Sequence, residues 1–279
     1  MTPSTALLDV DDLRVAYGRP KRPWRPGGTR VDAVAGVSLR VGRHETLALV
    51  GESGSGKTTV ARCVVGLIRQ RSGAIVFDGQ RLGAGARRPA ALRRAIQMVF
   101  QDPRSSLNPR MTVGRIVAEG WQAHPSVAPP GDRRSAVRAL LDQVGLDATV
   151  LDRRPSQLSG GQCQRVSIAR ALALKPRLLV CDEAVSALDV SVQTQILRLL
   201  SDLRDQRGLS VLFITHDLGV VRQIADRVAV MRRGELVESG ETEQLFASPQ
   251  HPYTQELLDA ALDLDVTDLD VTDPVETVD

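Results

Sequence analysis

The sequence predicts an α/β fold in which a mainly parallel sheet is flanked by helices, with an antiparallel β subdomain before it and a helical subdomain inserted into it. Three observations predict this architecture. Short apolar runs alternate with amphipathic segments, as in parallel sheets covered on both faces. A glycine-rich turn at residues 51–59 stands between a predicted strand and a predicted helix. From residue 102 to about residue 157 the strand-like runs stop, and prolines and amphipathic segments replace them.

The beginning of the chain predicts the antiparallel pair. Residues 8–17 alternate apolar and polar side chains as a half-buried strand does, and residues 31–41 have the pattern of a returning strand. Residues 19–30 between them are rich in proline, glycine and arginine, which predicts an exposed loop. The next predicted elements are a strand at 46–50, a helix at 60–69, a strand at 73–78, a helix at 87–95 and a strand at 96–100. We assign residues 1–101 to the first part of the core.

The middle and second half of the chain predict the insertion and the return to the core. The helical subdomain is assigned to residues 102–157, with amphipathic segments at 113–123 and 133–144 and a loop at 125–131. Residues 158–258 are assigned to the second part of the core. The predicted elements there are a helix through residues 164–174, a strand at 178–181, a helix at 192–207 and strands at 211–215, 228–231 and 235–237.

Composition separates an acidic end from a basic body. From Asp259 onward there are acidic residues but no Lys or Arg, and the quasi-repeat in residues 260–279 predicts a disordered tail at 259–279. The basic remainder suits a nucleotide, a nucleic acid or an anionic membrane face, or it reflects an arginine-rich proteome. Cys63, Cys163 and Cys181 are scattered without CxxC spacing, which predicts buried free thiols.

The sequence contains no pattern of a membrane span or of a secretory signal. No run approaches the roughly 18 apolar residues that cross a bilayer. The first residues have neither a basic start nor an apolar core, so they do not predict a signal peptide. We therefore expect a cytoplasmic location.

The stretch at 51–59 carries the strongest chemical signal, the pattern GxxxxGK(S/T) between a strand and a helix. Its glycines let successive backbone N–H groups point at phosphate oxygens, and the helix N-terminus adds a partial positive charge. Lys57 supplies a full charge for the β- and γ-phosphates, and the Thr58 hydroxyl can bind Mg²⁺. A dinucleotide-binding turn fits less well, because GxGxxG needs glycine where Thr59 stands. The candidate phosphate-binding residues are Gly51, Ser53, Gly54, Ser55, Gly56, Lys57, Thr58 and Thr59.

Two further motifs follow the pattern of a phosphate enzyme. Asp182 and Glu183 end a buried strand, so Asp182 can hold Mg²⁺ through water opposite Thr58, and Glu183 can polarise the attacking water. Solvated carboxylates at a strand end are the alternative, which the phosphate loop upstream disfavours. The run Leu158-Ser-Gly-Gly-Gln162 opens a helix with paired glycines, an arrangement that favours anion binding, although SGG alone is typical of a flexible turn.

Together these motifs resemble the ATP-binding cassette (ABC) ATPases, whose fold is a P-loop NTPase core. The phosphate loop, the signature run at 158–162 and the Asp182-Glu183 pair occur in that family's order. The resemblance implies ATP and Mg²⁺ as cofactors, ATP hydrolysis with Glu183 as base, and two ATPs closing a head-to-tail dimer. It also implies roles for further residues. Tyr17 would stack on adenine, Gln101 would belong to the Q-loop and bind magnesium, Asp189 would belong to the D-loop, and His216 would be the switch histidine. The signature residues that would contact nucleotide are Ser159, Gly160, Gly161 and Gln162. With Glu183, the implied catalytic residues are Lys57, Gln101 and His216.

Three segments narrow the resemblance to the oligopeptide, dipeptide and nickel importers: 101–109, 182–193 and 251–254. The implied partners are two membrane-spanning permeases, a second ATPase that is a second copy or a sister subunit, and an external substrate-binding protein. The implied location is peripheral, on the cytoplasmic face of the membrane. We expect peptides as cargo, with nickel second, and no nucleic acid partner. Cys163 and Ala184 depart from the residues common in the family, but neither departure removes a ligand.

Non-transport cassettes are the alternative. A carbon–phosphorus lyase accessory ATPase shares the subfamily features and stays open. Cassettes that act on ribosomes usually have two cassettes in one chain, and DNA-repair types carry a long coiled-coil insertion, for which residues 102–157 are too short. A cassette that binds ATP only for regulation is disfavoured, because every hydrolytic position is filled.

Overall fold

The structure, a computed structural model, describes residues 6–18, 31–83 and 88–267. The strands are β1 (Leu8–Tyr17), β2 (Val31–Val41), β3 (Thr46–Val50), β4 (Ser72–Phe77), β5 (Gln80–Arg81), β6 (Ile96–Val99), β7 (Leu178–Asp182), β8 (Ser210–Thr215), β9 (Arg227–Arg232) and β10 (Glu235–Glu241). The helices are α1 (Lys57–Val65), α2 (Ala90–Ala95), α3 (Pro103–Ser106), α4 (Val113–Ala118), α5 (Gly120–Ala123), α6 (Arg133–Gln143), α7 (Gly160–Leu172), α8 (Val190–Arg207), α9 (Leu218–Ile224), α10 (Thr242–Ala247) and α11 (Pro252–Thr267). The predicted loop at 19–30 lies outside the described residues.

The strands form two sheets, which confirms the predicted α/β class. Four strands make an antiparallel sheet in the order β2-β1-β4-β5. Six strands make the second sheet in the order β10-β9-β3-β8-β7-β6, where every neighbouring pair is parallel except β10 and β9. The central strands β3, β7 and β8 are buried along their whole length, as the apolar runs of a sheet covered on both faces predict.

Four helices, α3 to α6, occupy the stretch in which strand-like runs stop. Their apolar side chains pack with α7 in one buried cluster that includes Ile116, Trp121 and Leu141. The indole Nε1 of Trp121 donates to the carbonyl of Ala173 at 2.9 Å, so the one polar atom of this buried ring is satisfied. This packing joins the inserted helices to the helix that carries the signature run.

The helix after the phosphate loop differs from its predicted bounds. It begins at Lys57 rather than residue 60 and ends at Val65 rather than residue 69. Gly66 ends it with a φ of 89°, a left-handed conformation that glycine adopts without a steric penalty. The buried guanidinium of Arg88 then donates to the carbonyls of Cys63 and Val64, two acceptors in the last turn of the helix. The amphipathic segment at 113–123 is likewise divided into α4 and α5.

The predicted disorder of the acidic end is wrong for residues 260–267. Helix α11 continues through Thr267, so the predicted boundary at Asp259 falls inside a helix. The physical reason is that Tyr253, Leu257 and Ala261 recur at four-residue spacing and pack against the cluster around β3 and β9. The acidic residues therefore lie on a helix with an apolar face, and residues 268–279 lie outside the described residues. Helices α9 and α10 were not predicted from the sequence.

The three cysteines and the apolar character of the helices can be compared with the structure. Cys63, Cys163 and Cys181 are free and buried, as expected from their spacing. Within the ranges that the structure describes, no helix has both the length and the apolar character to cross a membrane.

Candidate active site

The phosphate loop runs from the end of β3 to the start of α1, and its path requires glycine. Gly51, Gly54 and Gly56 have φ values of 145°, 82° and 108°. A Cβ on Gly51 would lie 2.0 Å from the carbonyl oxygen of Met231, and one on Gly56 would lie 2.3 Å from that of Ala33. Because backbone atoms enclose the loop on two sides, its conformation is set by the surrounding strands as well as by its own glycines.

Lys57 lies across the inside of this loop. Its side chain is buried, and its ammonium donates to the carbonyls of Gly51 at 2.6 Å and Glu52 at 2.8 Å. Burial lowers the pKa of Lys57, while the carboxylates of Glu183 and Asp182 oppose that shift. A desolvated ammonium held only by neutral backbone acceptors is well placed to donate to phosphate oxygens.

Thr58 and Asp182 form an oxygen pair behind the loop. The Thr58 hydroxyl donates to Asp182 Oδ1 at 2.8 Å, although the residues belong to α1 and to the end of β7. Burial raises the pKa of Asp182, and the hydrogen bond from Thr58 opposes that rise. A hydroxyl and a carboxylate oxygen this close are donors of the type that Mg²⁺ takes beside nucleotide phosphates, so these residues fit the ion.

Glu183 contacts residues that follow two neighbouring strands. Its Oε2 accepts from Gln101 Nε2 at 2.5 Å, and its Oε1 lies 3.3 Å from His216 Nδ1. Gln101 follows β6, Glu183 follows β7 and His216 follows β8, so the carboxyl ends of neighbouring parallel strands bring them together. Glu183 itself has a φ of 47°, a left-handed conformation that is uncommon outside glycine and is concentrated at functional sites.

Two adjoining clefts open in front of these groups and share Ser53 and Glu183. One is lined by the loop from Ser53 to Thr59 and by Gln101, and the other by Gly51, Glu52, His216 and Leu257. Ser55 is buried under the loop, where its hydroxyl lies 3.5 Å from the Lys57 ammonium. Tyr17 stands at the end of β1 with its side chain exposed and its hydroxyl 3.4 Å from Thr59 Oγ1. The exposed ring therefore lies beside the loop, and its stacking on adenine stays a prediction.

The signature run at 158–162 contacts helices α7 and α8 rather than the phosphate loop. Ser159 caps α7: its hydroxyl accepts from the Gln162 backbone N–H at 3.2 Å, and the Gln162 side chain accepts from Ser159 N–H at 3.0 Å. A Cβ on Gly161 would lie 2.5 Å from Val192 Cγ1, so the run packs against the start of α8. Asp189 caps that helix by accepting from the Val192 N–H at 3.0 Å.

The structure therefore brings together only part of the predicted site. Six predicted residues converge on one edge of the sheet: Lys57, Thr58, Gln101, Asp182, Glu183 and His216. Across the described ranges, no hydrogen bond joins residues 159–162 or Asp189 to the phosphate loop. The roles of Ser159, Gly160, Gly161, Gln162 and Asp189 toward nucleotide stay predictions.

One contact at the loop has no counterpart among the predicted site residues. The hydroxyl of Tyr253 accepts from the backbone N–H of Glu52 at 3.1 Å, from a position 201 residues away in the chain. Leu257, one turn further along α11, lines the cleft at Glu183 and His216. The motif at 251–254 marks Tyr253 in the sequence, but the partner of the tyrosine depends on how α11 docks.

A phosphate loop, a hydroxyl–carboxylate pair behind it and a carboxylate at the adjoining strand ends define the site of a nucleoside-triphosphate hydrolase of the P-loop class. Comparisons with known proteins narrow this class. A family model described as ABC transporter matches residues 34–186, and one described as oligopeptide/dipeptide transporter, C-terminal region, matches residues 237–276. The chain belongs to the ABC transporter ATPase family.

Several curated proteins are similar to the chain over most of its length. The oligopeptide transport ATP-binding protein OppF of Salmonella typhimurium is 46% identical over 258 residues, which cover 91% of this chain and 77% of that protein. AmiF of Streptococcus pneumoniae, also named an oligopeptide transport ATP-binding protein, is 46% identical over 259 residues, 92% of this chain and 82% of that one. A putative peptide import ATP-binding protein of Brucella abortus is 51% identical over 257 residues, 91% of this chain and 76% of that one.

Solved structures share the fold. The structure of cbiO1 from Clostridium perfringens, part of the ABC transporter complex cbiONQ, has a TM-score of 0.75 at 28% identity and covers 95% of this chain and 97% of its own. The dimeric ATP-binding cassette MJ0796 in a post-hydrolysis state, bound to ADP and Pi, has a TM-score of 0.71 at 26% identity. The match covers 84% of this chain and 98% of that one. These likenesses agree with the two-sheet architecture described above.

Proposed function

We propose that the chain is the ATP-hydrolysing subunit of an importer for peptides. The proposal rests on the side chains that converge beside the phosphate loop. There Glu183 lies between Gln101 and His216 and next to the Thr58–Asp182 pair. The cargo class is supported by the names of the relatives, which are oligopeptide transport and peptide import proteins. None of these names points to nickel.

Each residue of the site has a separate role in ATP hydrolysis. The loop N–H groups and the start of α1 bind the phosphates, and Lys57 turns its ammonium from the loop carbonyls to the β- and γ-phosphate oxygens. Thr58, Asp182 and Gln101 would hold Mg²⁺, which when bound neutralises charge on those oxygens. Glu183 accepts a hydrogen bond from the attacking water and draws off its proton as the water oxygen bonds to the γ-phosphorus. The bond to the β–γ bridging oxygen breaks, Glu183 passes the proton to the phosphate, and ADP and phosphate leave.

The same site is proposed to be one half of a composite site. Gly161 packs against α8 in its own chain, and within the described residues no hydrogen bond joins the signature run to the phosphate loop. We infer that a second cassette subunit, identical or a sister, supplies a signature run to the γ-phosphate of this one. The dimeric neighbour bound to ADP and Pi supports a paired arrangement. Two permeases, contacted through the helical subdomain, and an extracytoplasmic binding protein complete the proposed system, which places the chain at the cytoplasmic membrane face.

Partnership and uptake test this proposal together. The tagged chain, purified from detergent extracts of its own cells, is expected to bring two membrane-spanning proteins with it. A strain without the chain is expected to lose growth on peptides as the amino-acid source, and the wild-type gene should restore it where Lys57→Ala does not. Purification with soluble enzyme subunits alone, together with normal peptide uptake in the deletion strain, would favour the lyase-accessory alternative instead.

A further inference from the structure

Tyr253 makes a direct contact between the C-terminal helix and the phosphate loop. Its side chain is 1% exposed, and its hydroxyl accepts from the Glu52 backbone N–H at 3.1 Å. Burial raises the pKa of the Tyr253 phenol, so at neutral pH the group is a neutral hydroxyl. Glu52 is the second residue of the loop, directly after Gly51. The contact therefore lies at the point where the chain leaves β3 and begins to curl.

Glu52 is held from both sides of its backbone. Tyr253 binds its N–H, and the Lys57 ammonium binds its carbonyl at 2.8 Å. The two contacts differ in what happens when nucleotide arrives. Lys57 must give its N–H groups to phosphate oxygens, so its hold on the Glu52 carbonyl is released. The contact with Tyr253 occupies the Glu52 N–H and involves no group of Lys57, so the release of Lys57 does not break it.

Tyr253 is itself fixed by its surroundings. The guanidinium of Arg232 lies 4.4 Å from the centre of its ring, and Arg232 follows Met231, whose carbonyl oxygen encloses Gly51. The Tyr253 backbone N–H donates to His251 Nδ1 at 3.1 Å. The carboxylate of Glu238 on β10 accepts from the backbone N–H groups of Gln250 at 2.8 Å and His251 at 3.0 Å. A hydroxyl supported in this way is a rigid anchor rather than a mobile surface group.

We propose that Tyr253 is a positioning residue for the phosphate loop: its hydroxyl holds the Glu52 peptide so that the loop is preformed before nucleotide binds. The inference rests on the proposed ATP hydrolysis and deepens it, because it gives the segment at 251–254 a part in nucleotide binding. Leu257 extends the same helix to the cleft at Glu183 and His216, so α11 contacts both the binding and the hydrolytic side of the site.

Removal of the hydroxyl alone tests the proposal. Tyr253→Phe keeps the ring and its contact with Arg232, and it is expected to weaken ADP binding about fivefold, the loss typical of one hydrogen bond. Amide hydrogen exchange in residues 51–56 is expected to become faster. Thr242→Val is the matched control, since it also removes one buried hydroxyl that is hydrogen-bonded to the backbone. This hydroxyl donates to the Ala225 carbonyl at 2.7 Å, away from the loop. The control should lower the unfolding temperature to a similar extent but leave ADP binding and loop exchange unchanged.

The outcomes separate this proposal from the proposed function, because ADP binding needs no turnover. Weaker ADP binding and faster loop exchange in Tyr253→Phe support the anchor even if the wild-type chain hydrolyses no ATP, in which case the proposed function alone is wrong. Unchanged binding and exchange in a variant that folds would overturn the anchor. If the variant does not fold, exchange in the wild-type chain decides: slow exchange of the Glu52 amide without nucleotide supports the anchor, and fast exchange contradicts it.

Discussion

Among single residues, the glycines of the phosphate loop are held by close backbone neighbours. Gly51→Ala would place a methyl group 2.0 Å from the Met231 carbonyl, so the loop must move, and we expect ADP binding to weaken at least tenfold. Gly79→Ala is the control, because Gly79 also has a positive φ, 75°, but has no atom within 4 Å of the added methyl. Calorimetric titration of both variants makes the comparison. Equal affinities would show that the enclosure of the loop does not matter.

At this scale the sequence predicted the residues whose roles follow from local motifs. Lys57, Thr58 and Asp182 could be assigned because loop chemistry and a strand end determine their positions. The left-handed backbone of Glu183 could not be predicted, because glutamate rarely adopts a positive φ. The contact of Tyr253 with Glu52 could not be predicted either, since it joins residues 201 positions apart through a helix whose docking depends on the complete core.

Among elements, Asp78 joins the antiparallel sheet to the parallel one. It follows β4 and accepts hydrogen bonds from Arg177, just before β7, and from Arg43, between β2 and β3. These hydrogen bonds lower the pKa of Asp78 to about 2. The side chain is about one-third exposed, so the pair of contacts is worth only about 1 kcal/mol at neutral pH.

The pH dependence of that contribution follows from the sign of the shift. Because the folded-state pKa is depressed, the stabilisation is present above the unfolded value near 4 and is lost as the pH falls toward 2. Asp78→Asn keeps a residue that tolerates the positive φ there, 51°, and should lower the unfolding temperature by about 2–4 °C at pH 7. At pH 3 the gap to the wild-type chain should shrink. Calorimetry at both values tests this, and an equal gap at pH 3 and pH 7 would exclude the charge as the cause.

Element prediction succeeded where periodicity and burial agreed and failed where composition was misleading. The strands β3, β7 and β8 were evident because strands buried on both faces are continuous apolar runs. The end of α1 was misplaced because the apolar pattern continues past Gly66, where the left-handed turn ends the helix. The acidic composition of α11 suggested disorder, although its apolar residues repeat at helical spacing.

For the whole molecule, the proposed composite site predicts how a signature variant behaves. Ser159→Asp keeps a good helix cap but adds a negative charge that would face the γ-phosphate of the partner's ATP. We expect ADP binding to the isolated chain to stay within about twofold of the wild type, while ATP turnover of the assembled transporter falls at least tenfold. Ser159→Asn, a neutral cap of the same size, should retain most turnover. Weakened ADP binding to the isolated chain would instead mean that the signature acts on its own loop.

The central claim is that this chain hydrolyses ATP with Glu183 as the base. The most direct measurement is steady-state ATP turnover by Glu183→Gln, which keeps the size of the side chain and one of its two acceptor oxygens but cannot take a proton. We predict turnover at least 100-fold below that of the wild type, with ATP affinity within about threefold. Glu243→Gln, at a side chain 78% exposed on α10, should turn over ATP at the wild-type rate. Turnover by Glu183→Gln close to the wild-type rate would contradict the claim.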